Sequence, residues 1–256
     1  QNTISYPGHM ESERKPNSAS SALQSLEGKT AVVTGGNKGI GLAIATALAD
    51  QGCRVMVASR NVLPKTPRRD TSGELISVKC DIRDASSVKQ LFASVQERYG
   101  SLDILINNAG VAHGLAPVDG ISIETWMSVI ETNLTGTFLC ARAALPLMHP
   151  GGTIVNNLSI AAEQTFAGMS AYNASKAGAL GFTNALREDL RKRGIRVLAL
   201  LPGATATDIW QQFWPDAPRE KMLSTATVAE AVLHVLALPA NATIEEIRLG
   251  PAAGVL

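Results

Sequence analysis

The sequence predicts an α/β fold: a doubly wound, seven-stranded parallel sheet with helices on both faces, in a single domain. Three observations support this fold class. From Gly28 onward, short apolar segments alternate with longer segments of helical periodicity, which is the pattern of repeated βαβ units. The short segments are apolar throughout, as expected when helices cover both faces of a sheet. The chain of 256 residues, 45% of them hydrophobic, is long enough to build one substantial core.

The predicted elements follow in a regular order. The seven strands lie in KTAVVTGG, RVMVASR, ELISVKCD, LDILINNAG, GTIVNNLS, IRVLALLPG and IEEIRLG. A first helix is predicted in GLAIATALADQG, which ends at a glycine, and further helices over residues 85–98, 121–148, 170–193 and 227–238. The segment NVLPKTPRRDTSG, between the second and third strands, holds two prolines and no helical periodicity. We therefore predict a loop there in place of a helix.

The first part of the chain differs from the rest in composition. Residues 1–25 are polar and rich in serine, and they lack the hydrophobic block of a signal peptide, so we predict a disordered tail. The triplet GHM within it resembles the remnant of an expression tag, which would make Met10 the natural first residue. The folded domain is predicted over residues 26–256.

Charge and hydropathy exclude two classes of partner. The net charge of +1 gives no electrostatic surplus that would favour nucleic acid or an anionic membrane. No apolar run approaches the ~18 residues that a membrane span requires. We expect neither a nucleic-acid nor a membrane partner.

The cysteines and histidines indicate neither a disulfide framework nor a metal site. Cys53, Cys80 and Cys140 are odd in number, far apart and set in apolar contexts, which is typical of buried free thiols in a reducing compartment. We therefore predict a cytoplasmic protein. The four histidines form no cluster with cysteines or carboxylates, so no catalytic metal is expected.

A glycine-rich turn, TGGNKGIG, separates the first predicted strand from the first helix. Gly35, Gly39 and Gly41 would allow a tight turn and a close approach of backbone to phosphate at a helix N-terminus. Dinucleotide-binding folds that use NAD carry an acid at the end of the second strand, whereas an arginine accommodates the 2′-phosphate of NADP. Ser59 and Arg60 stand there, with Lys38 in the turn, which favours NADP(H) over two solvated surface cations.

A tyrosine and a lysine lie one helical turn apart in SAYNASKAG. Tyr172 and Lys176 share a helix face, so the ammonium is expected to lower the pKa of the phenol towards working pH. Such a phenol can donate a proton to a carbonyl oxygen or take one from an alcohol. Ser159, at the end of the fifth strand, can donate a hydrogen bond to the same oxygen as charge develops.

These motifs, with Asn-Asn-Ala-Gly at 107–110, an asparagine at 133 and Pro-Gly at 202–203, make the chain similar to the short-chain dehydrogenase/reductase family, over roughly Gly28 to Gly250. The resemblance implies a Rossmann-type fold and an NADP-preferring enzyme like the carbonyl and 3-oxoacyl reductases. It also implies a catalytic set of Asn133, Ser159, Tyr172 and Lys176, with Asn133 holding a water that relays protons to Lys176. The cofactor-binding set that it implies, together with the glycine-rich turn, is Gly35, Asn37, Lys38, Gly39, Ile40, Gly41, Ser59, Arg60, Asp81, Ile82, Asn107, Ala109, Gly110, Tyr172, Lys176, Pro202, Gly203, Thr205 and Thr207.

Two departures from the family pattern stand out. The second βα unit is predicted to lack its helix, which would loosen the wall near the adenine end. Leu158–Ser159 stands where the family often has two serines, but the second serine is the catalytic one and is present.

The function predicted on this basis is hydride transfer between NADP(H) and a carbonyl or secondary alcohol, with reduction of an apolar ketone or aldehyde. Trp210, Phe213 and Trp214, after the sixth strand, are interpreted as an apolar substrate lid, and the alternative is a subunit or core contact. His113 could face the substrate or be a surface loop histidine.

Two other functions remain open on the sequence. A 3-oxoacyl reductase acting on acyl carrier protein or coenzyme A thioesters would need a basic docking patch near the entrance, for which Arg142, Arg187 or Arg191 are candidates. A non-catalytic NADP(H) sensor or interaction module is a third interpretation, against which the complete Asn–Ser–Tyr–Lys set argues. The resemblance further implies a homotetramer or homodimer built on the long fourth and fifth helices and the last strand.

Overall fold

The computed structural model describes residues 23–63 and 73–254. Seven parallel strands form one sheet in the order β3-β2-β1-β4-β5-β6-β7. They are β1 Thr30–Thr34, β2 Arg54–Ser59, β3 Glu74–Lys79, β4 Leu102–Asn107, β5 Met148–Asn157, β6 Arg196–Pro202 and β7 Glu246–Leu249. The predicted fold class is confirmed. Six strands lie within the segments predicted for them, and β5 begins four residues before its predicted segment, at Met148.

The order of the strands reverses between β1 and β4. Ala31 in β1 pairs with Val55 of β2 on one side and with Ile104 of β4 on the other. The chain thus leaves β1 towards one edge of the sheet and returns to build the other half. In open parallel sheets, a crevice for ligands forms at such a switch point, outside the carboxyl ends of the strands.

Helices cover both faces of the sheet, and this explains why the strands are apolar throughout. The helices are α1 Gly39–Asp50, α2 Ala85–Tyr99, α3 Ile123–Ile130, α4 Gly136–Ala144, α5 Ser170–Arg191 and α6 Thr225–Leu236. Val33 packs in a core with α1 and α6, whereas its neighbour Val32 packs in a second core with α2, α4 and α5. Successive side chains of a strand point to opposite faces, so both faces must be apolar.

The helix predicted over residues 121–148 is shorter and is interrupted. A π-helical turn, Glu131–Thr135, separates α3 from α4, although the backbone keeps right-handed helical angles at both of its ends. A short 3₁₀ turn follows α4, and β5 already begins at Met148. Single π turns inside helices widen the backbone and recur at functional sites.

Two predictions fall wholly or partly outside the described residues. The predicted loop between β2 and β3 includes residues 64–72, and the predicted tail includes residues 1–22. Residues 60–63 and Gly73, which flank the first of these gaps, belong to no helix. Leu26 is buried in the core beside α1, and the backbone N–H of Gln24 donates to the carbonyl of Ala237 over 2.6 Å. The extent of the tail stays a prediction.

Candidate active site

A cavity of about 750 Å³ opens at the carboxyl ends of the strands. The turns that follow all seven strands line it, together with the first two turns of α5 and the segment after β6. The cavity thus lies where the strand order predicts a ligand crevice. Most of the residues predicted from the sequence to contact cofactor or substrate line this one cavity.

The glycine-rich turn forms the floor of one end. A Cβ on Gly35 would lie 2.7 Å from Cα of Ala109, and a Cβ on Gly41 would lie 2.2 Å from Nδ2 of Asn108. Gly35 also has a φ of +63°, which L side chains rarely adopt. The turn can therefore approach the loop after β4 only because these positions carry no side chain. Lys38, the N-cap residue of α1, makes no side-chain capping bond, so the first N–H groups of α1 are left for an anion.

Charged side chains gather around the ends of β2 and β3. Arg60 is exposed and makes no ion pair with any described residue. Lys38 Nζ lies 3.7 Å from Asp208, and both side chains are exposed. Ser59 is buried and its hydroxyl donates to the carbonyl of Asn61 over 2.8 Å. This end of the cavity thus offers positive charge beside a buried hydroxyl.

These residues fit a 2′-phosphorylated dinucleotide. The glycine-rich turn is a cradle that any Cβ would fill, and the N-terminus of α1 points towards it. Lys38 and Arg60 supply the cations, and no acid follows β2 in the positions that would hold an unphosphorylated ribose. Asn37, Gly39, Ile40, Ile82, Gly110, Pro202, Gly203, Thr205 and Thr207, all predicted to contact the cofactor, also line the cavity.

Lys176 and Tyr172 project from the first turns of α5 into the middle of the cavity. Lys176 Nζ lies 5.6 Å from the centroid of the Tyr172 ring and donates to the carbonyl of Asn157 over 3.2 Å. The lysine is almost fully buried, and burial lowers its pKa to about 8. The ammonium is therefore held at a fixed point beside the phenol, as predicted from the i, i+4 spacing.

The expected effect on Tyr172 differs from what the structure shows. Burial raises the pKa of Tyr172, and a side-chain hydrogen bond with Ser159 acts in the opposite direction. The predicted lowering by Lys176 is absent, because removal from water penalises the phenolate more than these neighbours favour it. The phenol of the protein alone is thus protonated at neutral pH, the form that donates a proton.

Ser159 is oriented by the turn that follows β5. Its hydroxyl oxygen accepts a hydrogen bond from the backbone N–H of Ala161 over 3.1 Å and so caps a short 3₁₀ turn, Ile160–Ala162. A hydroxyl can accept one hydrogen bond and donate another, so the proton of Ser159 is available for donation into the cavity towards Tyr172. The two hydroxyls can reach one and the same substrate oxygen.

Asn133 lies in the π-helical turn, behind the cavity wall. Its side-chain amide exchanges two bonds of 2.9 Å with the backbone of Val111, and its Nδ2 also contacts Ser175 Oγ at 2.9 Å. A Cβ built on Gly110 would lie 3.4 Å from Asn133 Oδ1 and 3.6 Å from Lys176 Nζ. The side chains of Asn133 and Lys176 thus lie on either side of Gly110. The water predicted to relay protons between them remains a proposal.

Four predicted site residues do not line the cavity: Gly41, Asn107, Asn133 and His113. Asn107 is buried and its Nδ2 donates to Asn156 Oδ1 over 2.9 Å, so its side chain bonds to the neighbouring strand. His113 is buried, with Nδ1 2.7 Å from the carbonyl oxygen of Gly114, so the interpretation as a surface loop residue is wrong. It does not line the cavity either.

Two asparagines missed by the sequence interpretation join the parts of the site. Asn108 donates from Nδ2 to the carbonyls of Thr34 and Gly35 over 3.0 and 3.2 Å, and Asn157 Nδ2 donates to Asn108 Oδ1 over 2.8 Å. Since Lys176 also donates to Asn157, a chain of hydrogen bonds links the glycine-rich turn to Lys176. Asn108 stood within the quoted Asn-Asn-Ala-Gly segment, but nothing in the pattern marks Asn157.

The segment after β6 covers the other end of the cavity. It contains two short 3₁₀ turns, Asp208–Gln212 and Arg219–Lys221. Trp210 is anchored by a 2.8 Å bond from Nε1 to the carbonyl of Thr205, and its ring lies 5.0 Å from that of Phe213 and 6.0 Å from that of Trp214. All three rings line the cavity, so they lie where a substrate lid was predicted.

This end of the cavity is apolar. Besides the lid, its walls are Leu115, Leu158, Ile160, Ala161, Phe166 and Met169, with the amides of Gln164 and Gln212. In the described part of the chain, the charged side chains that line the cavity are Lys38, Arg60, Asp81, Arg83, Asp208 and Lys176, and Lys176 alone of these is next to Tyr172. The substrate end thus offers hydroxyls, amides and apolar surface.

No cluster of three metal-ligating side chains occurs within residues 23–63 and 73–254. In the same described part of the chain, no helix has the length and apolar character of a membrane span.

Comparison with known proteins agrees with this geometry. The family model described as short chain dehydrogenase matches residues 29–218. A 3beta-hydroxysteroid dehydrogenase of Mediterraneibacter gnavus is 37% identical over 191 residues, which are 72% of this chain and 68% of that protein. A 3-oxoacyl-[acyl-carrier-protein] reductase of Synechocystis sp. is 36% identical over 197 residues, 73% of this chain and 78% of the relative.

A solved structure of a short chain dehydrogenase from Burkholderia cenocepacia, in complex with NADP, superposes with a TM-score of 0.77 at 30% identity, covering 90% of this chain and 99% of the other. Fold, cavity and sequence therefore lead to the same conclusion: the chain belongs to the short chain dehydrogenase family and is an oxidoreductase.

Proposed function

We propose that the protein reduces an uncharged, apolar ketone or aldehyde with NADPH, and oxidises the corresponding alcohol in reverse. The observation that carries the proposal is the pairing of Ser159, Tyr172 and Lys176 with a cavity end walled by apolar and aromatic side chains. A substrate carrying its own charge would find no opposite charge there to replace its hydration, because Lys176 is already engaged. The NADP in the Burkholderia relative's structure supports the cofactor.

The residues divide the work of the reaction. The cofactor, when bound, would supply hydride to the carbonyl carbon. Tyr172 donates the proton to the carbonyl oxygen, for which its raised pKa keeps it protonated. Ser159 donates a hydrogen bond to the same oxygen, where negative charge develops. Lys176, fixed by the carbonyl of Asn157, would bind the cofactor's ribose.

A 3-oxoacyl reductase acting on a carrier-protein thioester is the second candidate, because the Synechocystis relative is named for that activity. Among the described residues, the three arginines considered for the basic patch that it would need lie far from Tyr172. Arg187 and Arg191 lie roughly 22 and 28 Å along α5 from Tyr172, at ~1.5 Å per residue. Arg191 pairs with Glu188 and Glu245, and Arg187 donates to the carbonyls of Val197 and Glu245.

Arg142 does not supply such a patch either. It lies in the last turn of α4, before β5 begins, and therefore at the end of the sheet opposite the cavity. The positions of these three arginines therefore do not support docking of a carrier protein at the entrance. A non-catalytic sensor is disfavoured as well, since binding a dinucleotide would not require Ser159 and Tyr172 to face one another.

We further propose that the protein is a homodimer or homotetramer that associates through α4 and α5. Phe138 is exposed on α4 and makes an edge contact with Phe182 of α5, with ring centroids 5.9 Å apart. The neighbouring exposed positions of α5 are small, among them Ala174, Ala177 and Gly181, which lets a second helix approach closely. A cytoplasmic location is proposed on the three buried, free thiols.

The test follows nicotinamide absorbance with the full chain and a panel of an aromatic aldehyde, a vicinal diketone, a β-ketoester and an acetoacetyl thioester. We expect NADPH oxidation with the uncharged apolar carbonyls, and turnover reduced by about 10³-fold or more in Tyr172→Phe with NADPH binding retained. Asn184→Ala, an exposed site further along α5, is the matched control. Full activity in Tyr172→Phe would refute the mechanism, and preference for the thioester would favour the second candidate.

A further inference from the structure

The ends of β2 and β3 carry more positive charge than a single 2′-phosphate contact explains. Within residues 23–63 and 73–254, three cations line this end of the cavity: Lys38, Arg60 and Arg83. Two carboxylates face them, and each is paired: Asp208 with Lys38 at 3.7 Å, and Asp81 with Arg83 at 2.6 Å. Arg83 was not among the site residues predicted from the sequence, and the proposed reaction gives it no function.

Arg83 holds the carboxylate of Asp81 with both its side chain and its backbone. The guanidinium Nε lies 3.0 and 3.1 Å from the two carboxylate oxygens of Asp81, and Nη2 lies 2.6 Å from Oδ2. The backbone N–H of Arg83 also donates to Oδ1 over 3.0 Å. Both side chains are only about one-third exposed, at 33% each. A two-pronged contact of this kind fixes the guanidinium in one orientation.

Asp81 carries a full negative charge in this arrangement. The side-chain hydrogen bonds from Arg83 are the largest cause of its lowered pKa, and the charge of Arg60 acts in the same direction. Arg60 is thus within electrostatic reach of Asp81. A phosphate held by Arg60 would lie in the field of the same carboxylate, and like charges repel at such distances. The site therefore needs a compensating charge if it is to accept a phosphate.

We propose that Arg83 is a positioning residue that gives the protein its preference for the 2′-phosphorylated cofactor, by neutralising Asp81 and holding that carboxylate away from the phosphate. The inference rests on the proposed cofactor. Among the described residues at this end, removal of Arg83 leaves two cations against two carboxylates in place of three against two, so their net positive charge is lost. The effect is therefore expected on the 2′-phosphate and not on the rest of the nucleotide.

Titration calorimetry on the full chain with 2′,5′-ADP and 5′-AMP tests this, because these fragments differ in the 2′-phosphate and need no catalysis. Arg83→Gln is expected to bind 2′,5′-ADP about tenfold more weakly, the order of effect of one uncompensated like charge near a surface, with 5′-AMP changed less than threefold. Asp81→Asn combined with Arg83→Gln is expected to recover most of the loss, and Arg83→Lys to lose less than Arg83→Gln.

Arg248→Gln is the matched control. Arg248 also pairs with an acid two residues before it, Glu246, at 2.8 Å, but on β7 and outside the cavity lining. Equal loss of both fragments in Arg83→Gln would overturn the proposal, since it indicates a structural role, as would unchanged binding. Failure of the double variant to recover would show that Arg83 contacts the phosphate directly. Equal affinity of the parent protein for both fragments would instead refute NADP as the preferred cofactor.

Discussion

The two ends of the cavity are built by different means. The cofactor end is made of backbone turns at the ends of neighbouring parallel strands, tied together by Asn108 and Asn157. The substrate end is made of side chains on short 3₁₀ turns after β6, anchored by a bond from Trp210 to Thr205 and one from Arg219 to Thr207. The sheet therefore fixes where the cofactor lies, while the lid decides what fits beside it and can change without disturbing the sheet.

If close contacts between backbone turns build the cofactor end, a side chain added in the glycine-rich turn should weaken cofactor binding. Gly41→Ala would place its Cβ 2.2 Å from Asn108 Nδ2 and 2.6 Å from the carbonyl oxygen of Gly35, so the turn must move. We expect NADPH affinity to fall by about 100-fold, of the order of 3 kcal/mol. Fluorescence titration with NADPH measures it. Gly120→Ala, whose Cβ would only contact Pro117 at 3.5 Å, is the control and should bind normally.

Removing charge from the same end sharpens the comparison. Lys38→Ala with Arg60→Ala deletes two cations without adding volume, so we expect NADPH affinity to fall about 30-fold and NADH affinity to fall less than threefold. The difference should shrink in high salt because both side chains are exposed. Parallel titrations with NADPH and NADH measure the two losses of affinity. Equal losses for both would mean that these cations do not recognise the 2′-phosphate.

The lid should affect the substrate and leave the cofactor alone. Trp214 is 42% exposed at the cavity mouth, and a bound apolar substrate would cover it. Trp214→Ala is expected to raise KM for an apolar ketone about tenfold, from the loss of roughly 1–2 kcal/mol of aromatic contact, with NADPH affinity unchanged. Steady-state kinetics and NADPH titration separate the two effects. A comparable loss of NADPH affinity would show that lid and cofactor end are one unit.

The smallest effect concerns Lys176, where the two ends meet. Burial lowers its pKa from 10.5 to about 8, so between those pH values the unfolded chain holds a proton that the folded chain has lost. The free energy of unfolding of the cofactor-free protein should therefore rise with pH across this window. Lys176→Met removes this dependence and should be roughly 1–2 kcal/mol more stable than the parent at pH 7. Urea unfolding at pH 7 and pH 9.5 measures both, and a parent curve that falls with pH would contradict it.

The outcome for Tyr172 shows where inference from spacing ends. The i, i+4 spacing correctly placed Lys176 beside the phenol, because the geometry of a helix follows from its sequence alone. The direction of the pKa shift depends on how much water the surrounding loops exclude, and only the packed structure shows that burial prevails. Asn157 was missed for a related reason: its partner Asn108 is 49 residues away in the chain.

The sequence by itself determined the sheet, its strands and the identity of the chemical groups, because apolar runs, glycine spacing and a polar triad are local features with fixed structural meaning. Tertiary structure decided what depends on distant parts of the chain meeting. In the structure, Asn107 and His113 do not line the cavity, and the arginines considered for docking lie at the far end of the sheet. Arg83 forms an ion pair with Asp81 beside Arg60. Each of these outcomes depends on which strand ends become neighbours, and the strand order that decides it is a property of the whole fold.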